Sequence, residues 1–127
     1  MAVPVRHRDA LAALSDNQLT LTQHPVGCLL VFPRPSWESF RTQLLGLPME
    51  ADGWRRFFVG SAVDVEVDSA ARLLVPPELR AMAGLDKDVL LLGMGQRLEL
   101  WDASRYGAHQ AQVMAAGMPD AIKSFVF

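Results

Sequence analysis

The chain has 127 residues, 50% hydrophobic, 20% charged and 8% aromatic, which excludes a disordered, collagen-like or low-complexity protein and suits one domain or two small lobes. Twelve basic against fourteen acidic side chains leave a net charge of -2. Residues 1–63 hold 6 basic and 5 acidic groups, and residues 64–127 hold 6 and 9, so any grip on nucleic acid must come from a few placed arginines rather than bulk charge. One cysteine, three scattered histidines and no apolar run near membrane length exclude a disulfide framework, a zinc site and a membrane span, and predict a soluble intracellular protein.

In chain order, the first informative feature is a segment that returns. Met1-Ala2-Val3-Pro4 recurs in the second half as Leu73-Leu74-Val75-Pro76, with Pro76 answering Pro4, and an arginine stands four positions beyond each proline, Arg8 and Arg80. Strand-like Leu19–Thr22 is answered by Val89–Leu92. Cys28–Phe32 is answered at a slightly shorter offset by Arg97–Trp101, and Trp37 by Tyr106 at the start of a helix. The slip between the two offsets falls in the loop between paired strands, where length changes are tolerated. Each copy reads as a strand, a short helix and two strands closing a hairpin.

Between the copies, Ser36–Leu45 is amphipathic and Gly46-Leu47-Pro48 ends it. Glu50–Phe58 predicts a second helix carrying Trp54, Phe57 and Phe58. Ala62–Asp68 alternates valine with carboxylate, a strand with one wet face. Ser69-Ala70-Ala71 is a turn, Arg72–Val75 a strand, and Pro77 suits the first position of a short helix capped by Gly84. Gly93–Gln96 predicts a hairpin loop. Ser104–Met114 predicts a helix ending near Gly117-Met118-Pro119, before a short apolar tail, Ala121–Phe127. The helix aromatics are predicted as core or subunit contacts. The pattern divides as residues 1–37, a helical connector 38–61, a second module 62–106, and a helix and tail 107–127.

Chemistry is sparse. Asp64, Glu66 and Asp68 share a strand face but lie roughly 7 Å apart in succession, which favours a solvated face over a metal site. His7, His24 and His109 have no ligand spacing, Cys28 sits in an apolar strand, and no nucleophile, phosphate-loop or dinucleotide motif is present. No enzyme, cofactor, metal or small-molecule substrate is expected. Asp68-Ser-Ala-Ala-Arg72 allows two readings: a surface ion pair of little consequence, or an aspartate pinning a turn that offers Arg72 to a phosphate or a guanine edge.

Asp68-x-x-x-Arg72-Leu-Leu-Val-Pro-Pro-Glu-Leu-Arg80 resembles the SpoVT-AbrB signature. The doubled arrangement, with Leu98-Glu-Leu-Trp101-Asp102 in the second copy and Cys28–Phe32 followed by Trp37 in the first, resembles the MraZ family over essentially the whole chain. The resemblance implies an α/β (α+β) fold of two pseudo-symmetric swapped-hairpin β modules with connecting and C-terminal helices. It implies a transcriptional regulator, cytoplasmic and nucleoid-associated, that binds promoter DNA of the division and cell-wall gene cluster as a ring-like homo-oligomer. By the same resemblance Arg72 is the leading DNA contact, with Asp68 positioning its loop, followed by Arg80, Arg8 and Arg6. The family pattern places a strand and a first Asp-x-x-x-Arg ahead of Val3-Pro4, so module one is expected to be completed by roughly a dozen upstream residues. Without that loop, a second reading stands: a structural or protein-interaction module that oligomerises but binds DNA poorly. Where Ala71 stands, many members carry glycine, so positive φ at that position would strain the turn.

Overall fold

The computed structural model describes residues 2–4, 18–70 and 72–125. Arg6 and Arg8, with the first copy's short helix, and the backbone angle of Ala71 lie outside the described residues. The elements are β1 (Ala2–Pro4), β2 (Gln18–Gln23), β3 (Leu29–Pro33), α1 (Arg34–Leu45), a 3-10 turn (Met49–Ala51), α2 (Asp52–Gly60), β4 (Val63–Glu66), β5 (Arg72–Leu74), α3 (Pro77–Met82), β6 (Val89–Gly93), β7 (Leu98–Asp102), α4 (Ala103–Ala116) and α5 (Asp120–Lys123). The fold is α+β. A five-stranded antiparallel sheet runs β4-β2-β3-β7-β6, and β1 pairs with β5 in a separate two-stranded ribbon.

Strand register turns the sequence repeat into geometry. Ala2 faces Leu74, its own equivalent in the second copy. In the middle of the large sheet Leu30 faces Glu99, again its equivalent in the second copy. Antiparallel neighbours that pair at equivalent positions are related by a local two-fold axis, so each copy supplies one strand to the β1–β5 ribbon and one to the β3–β7 seam of the large sheet. β2 and β3 form one hairpin, β6 and β7 the other, and the hairpins meet at β3 and β7. The symmetry breaks at the rims: β4 covers the outer edge of β2, whereas among the described residues nothing pairs with the outer edge of β6.

Strand alternation sends the side chains to two different cores. Leu19, Leu21, Leu29, Val31, Leu98 and Leu100 point to one face and pack on Val67, just after β4, and on Leu73, Val75, Leu79, Ala83 and Leu85 of β5, α3 and their flanks. Burying a leucine contributes roughly 1.5–3 kcal/mol, so this layer holds β5 and α3 on the sheet. The opposite face carries Leu30 and Phe32, which pack on Trp37 of α1 with Phe40, Phe58 and Val59 around them. Trp37 and Trp101 are buried as core residues, whereas Trp54 stays exposed. α1 starts at Arg34, two residues before the amphipathic stripe becomes visible, because Pro35 suits a first helical turn.

α3 closes as the sequence implies. Leu85 N–H donates to Arg80 O at 3.0 Å and Gly84 N–H to Ala81 O at 3.1 Å, the paired bonds of a Schellman cap, with Gly84 at φ +60°. A Cβ on Gly84 would also lie 2.7 Å from an Arg105 nitrogen. Gly84→Ala is therefore expected to lower stability by about 1 kcal/mol or more, seen as a lower urea midpoint at unchanged slope.

Candidate nucleic-acid interface

The loop between β4 and β5 is held at its base by the sheet. Val67 bridges to buried Leu73, and Asp68 N–H donates to Arg72 O at 2.9 Å. Inside the loop, one Asp68 oxygen, Oδ1, accepts from Ala70 N–H at 2.9 Å and from Arg72 N–H at 2.8 Å. An aspartate bonding its own backbone two residues on is an Asx turn, and here it satisfies a second amide as well. The other oxygen, Oδ2, lies 3.5 Å from Arg72 Nε. Both side chains are about half exposed, so the ion pair contributes ~0–1 kcal/mol to stability. Its value is in aim. The contact engages Nε, and among the described residues no acceptor meets the two terminal guanidinium nitrogens of Arg72. That edge is the one that grips a phosphate or a guanine.

The other sequence candidates fall differently. Arg80, on α3, is exposed, and its Nε donates to Leu85 O at 3.3 Å, across its own helix cap rather than into the loop. Arg72 lies opposite Pro4 in the β1–β5 ribbon, which is where the first copy enters the site. The carboxylate row does not converge on an ion: Asp64 accepts from Thr20 Oγ1 at 2.8 Å and lies 3.9 Å from Arg34, while Asp68 serves the loop. No cluster of metal-ligating side chains occurs among the described residues, and no described helix is long and apolar enough to cross a membrane.

Most other arginines are spent inside the fold. Arg34 donates to Leu19 O and Val65 O, tying β2 to β4. Arg55 ends α1 by bonding the carbonyls of Leu44, Leu47 and Pro48 while paired to Asp52. Arg97 lies 3.5 Å from Glu99, and Arg105 donates to Gly27 O at 3.0 Å and Met82 O at 3.4 Å.

Against this geometry, residues 57–121, which span the loop and the whole second copy, match the MraZ family model described as "MraZ protein, putative antitoxin-like". Over all 127 residues the chain is 60% identical to the transcriptional regulator MraZ of Methylibium petroleiphilum, covering 87% of that protein. It is 58% identical to that of Leptothrix cholodnii, covering 87%, and 56% identical to that of Cupriavidus taiwanensis, covering 89%. The chain belongs to the MraZ family. These relatives carry the name of a regulator, not of an enzyme.

Two features of this MraZ chain escape a reading by motif. Glu99 is buried on the two-fold axis, accepting from Trp101 Nε1 at 3.0 Å. Burial, with that carboxylate adding in the same direction, pushes the nearby Cys28 thiol up to about 12. Burial also lowers His24, with Glu99 opposing. Arg105 is the second. Its helix is capped by Asp102, which accepts from Arg105 N–H at 3.1 Å, and an aspartate just ahead of a helix was the available signal.

Two outcomes follow for this region. Asp68→Ala removes the acceptor of two loop amides, so exchange at the Ala70 and Arg72 amides should accelerate while global stability falls by only about 1 kcal/mol. The raised Cys28 keeps its proton in the fold beyond the pH where an unfolded cysteine ionises. Its stabilising contribution is whole below about 9 and is lost as pH climbs toward about 12. Alkylation at pH 8 should therefore be slow in the folded protein and rapid in urea, read by mass spectrometry.

Proposed function

We propose that this chain is a DNA-binding transcriptional regulator that reads promoter DNA through the Asp68–Arg72 loop. The observation that carries the reading is the loop itself: an aspartate spent on fixing the backbone, and an arginine whose outer edge is left open beside it. The name borne by its relatives supports the same conclusion. Arg80, and after it Arg8 and Arg6, serve as secondary phosphate contacts. Intracellular placement at the nucleoid, and action on the division and cell-wall gene cluster, belong to this reading.

With an acidic chain and so few free arginines, one loop binds DNA weakly. Copies linked in a ring present several loops to successive promoter repeats, and each further contact forms at high effective concentration. Affinity then depends on assembly as much as on Arg72.

Arg72→Ala is the test, by fluorescence anisotropy on promoter DNA at several salt concentrations, with melting temperature measured alongside. A lost phosphate contact weakens binding to all sequences and reduces the salt slope by about 1 per site, whereas a lost guanine contact costs roughly 1–3 kcal/mol at one base pair. Melting should hardly move. A folded Arg72→Ala protein with unchanged affinity removes the assignment. A wild-type oligomer that binds no DNA even at low salt favours the interaction-module reading.

A further inference from the structure

Arg72 and Arg80 are held in the same way. Arg72 meets Asp68 through Nε at 3.5 Å, and Arg80 donates from Nε to Leu85 O at 3.3 Å. Among the described residues no acceptor meets the terminal nitrogens of either, so both present the guanidinium edge that grips a phosphate. They stand on one continuous segment, β5 followed by α3. The acceptors differ. Asp68 is fixed inside its own loop, whereas Leu85 O lies beyond the end of α3 and takes its position from the helix cap. Leu85 N–H donates back to Arg80 O at 3.0 Å around Gly84, which has φ +60°. Whatever holds this cap therefore sets the direction of Arg80.

The cap is held from outside its own segment. Arg105, at the start of α4, donates from Nη1 to Met82 O at 3.4 Å and to Gly27 O, in the β2–β3 turn, at 3.0 Å. Its guanidinium lies against two glycines in the left-handed region. A Cβ on Gly84 would lie 2.7 Å from Nη2, and one on Gly27, at φ +101°, would lie 3.2 Å from Nη1. The same corner grips the chain further on. Asp102 Oδ1 accepts from Asp86 N–H at 3.2 Å, and Ala103 N–H donates to Asp88 O at 2.8 Å. Side-chain packing does less here, because a cavity of about 150 Å³ remains with Gly27, Phe57 and Met82 in its wall. A gap forfeits contacts, so hydrogen bonds set the spacing between the hairpin turn and α3.

We propose that Arg105 is a positioning residue for DNA binding: it fixes the cap of α3, the cap fixes Leu85 O, and Leu85 O holds Arg80 with its terminal nitrogens turned outward. The role rests on Arg80 being a phosphate contact, as in the function proposed above. Arginine suits it because a flat guanidinium fits between two turns built on glycine. The rounder, more strongly hydrated ammonium of lysine carries the same charge without that shape. Arg105 is itself exposed, so its loss disturbs the cap without unfolding the sheet.

The test is a double-mutant cycle on promoter DNA, by fluorescence anisotropy at several salt concentrations. Arg80→Ala should weaken binding by about 5–10-fold at roughly 0.1 M salt and lower the salt slope by about 1. Arg105→Lys, which keeps the charge, and Arg105→Gln, which removes it, should each weaken binding by about two- to fourfold while Arg80 is present. Combined with Arg80→Ala, neither should add a further loss; combined with Arg72→Ala, each loss should be retained in full. In the free protein, exchange of the Leu85 amide should quicken in both Arg105 variants, with amides of the β3–β7 seam unchanged. Equal losses with and without Arg80 would mean a general effect of structure or charge and overturn the proposal. So would wild-type affinity in both Arg105 variants, or a Leu85 amide that exchanges as in the wild type. Wild-type affinity in Arg80→Ala removes the contact itself and the proposal with it. Unchanged affinity in Arg72→Ala would fail the reading of the Asp68–Arg72 loop and leave this cycle intact, since it is read between positions 80 and 105.

Discussion

Strand β7 lies antiparallel against β3 with Glu99 opposite Leu30, and this pairing sets the position of nearly everything else. It makes one sheet of two hairpins that could otherwise form separate lobes. With the hairpins joined, the strands that lead each copy, β1 and β5, meet in the two-stranded ribbon by the same two-fold relation. Leucines on one face of the sheet then hold β5 and α3, and the loop ahead of β5 is fixed at its base. The aim of Arg72 is thus inherited from contacts between strands far away in sequence.

Arginine is used here in two physical ways. Arg34, Arg55 and Arg105 give their planar forks to backbone carbonyls of strands, turns and helix ends. Arg72 is held by one edge only. With a net charge of -2, general attraction to a polyanion is weak. Asp68 spends Oδ1 on two amides and meets the Arg72 guanidinium through Oδ2 at 3.5 Å.

Internal duplication gives a chain two equal surfaces, which by themselves would pair isologously. Divergence between the copies separates the roles. Ser36 of the first copy answers Arg105 of the second, which donates to Gly27 O, and among the described residues the cover over α1 is not matched over α4.

The sequence by itself determined the repeat, the α+β class, the order of strands and helices and the Asp68–Arg72 loop. Each of these is written in local signals: strand alternation, proline and glycine at helix ends, and an aspartate four positions before an arginine. The MraZ resemblance was legible for the same reason, since the motif is continuous in the chain. Tertiary structure alone decided which strands are neighbours, because register is set by burial across the sheet and not by any one strand. It also decided that Arg105 and Arg34 are structural while Arg72 is offered outward. Their sequence surroundings do not separate those roles; only the carbonyls brought within reach by folding do.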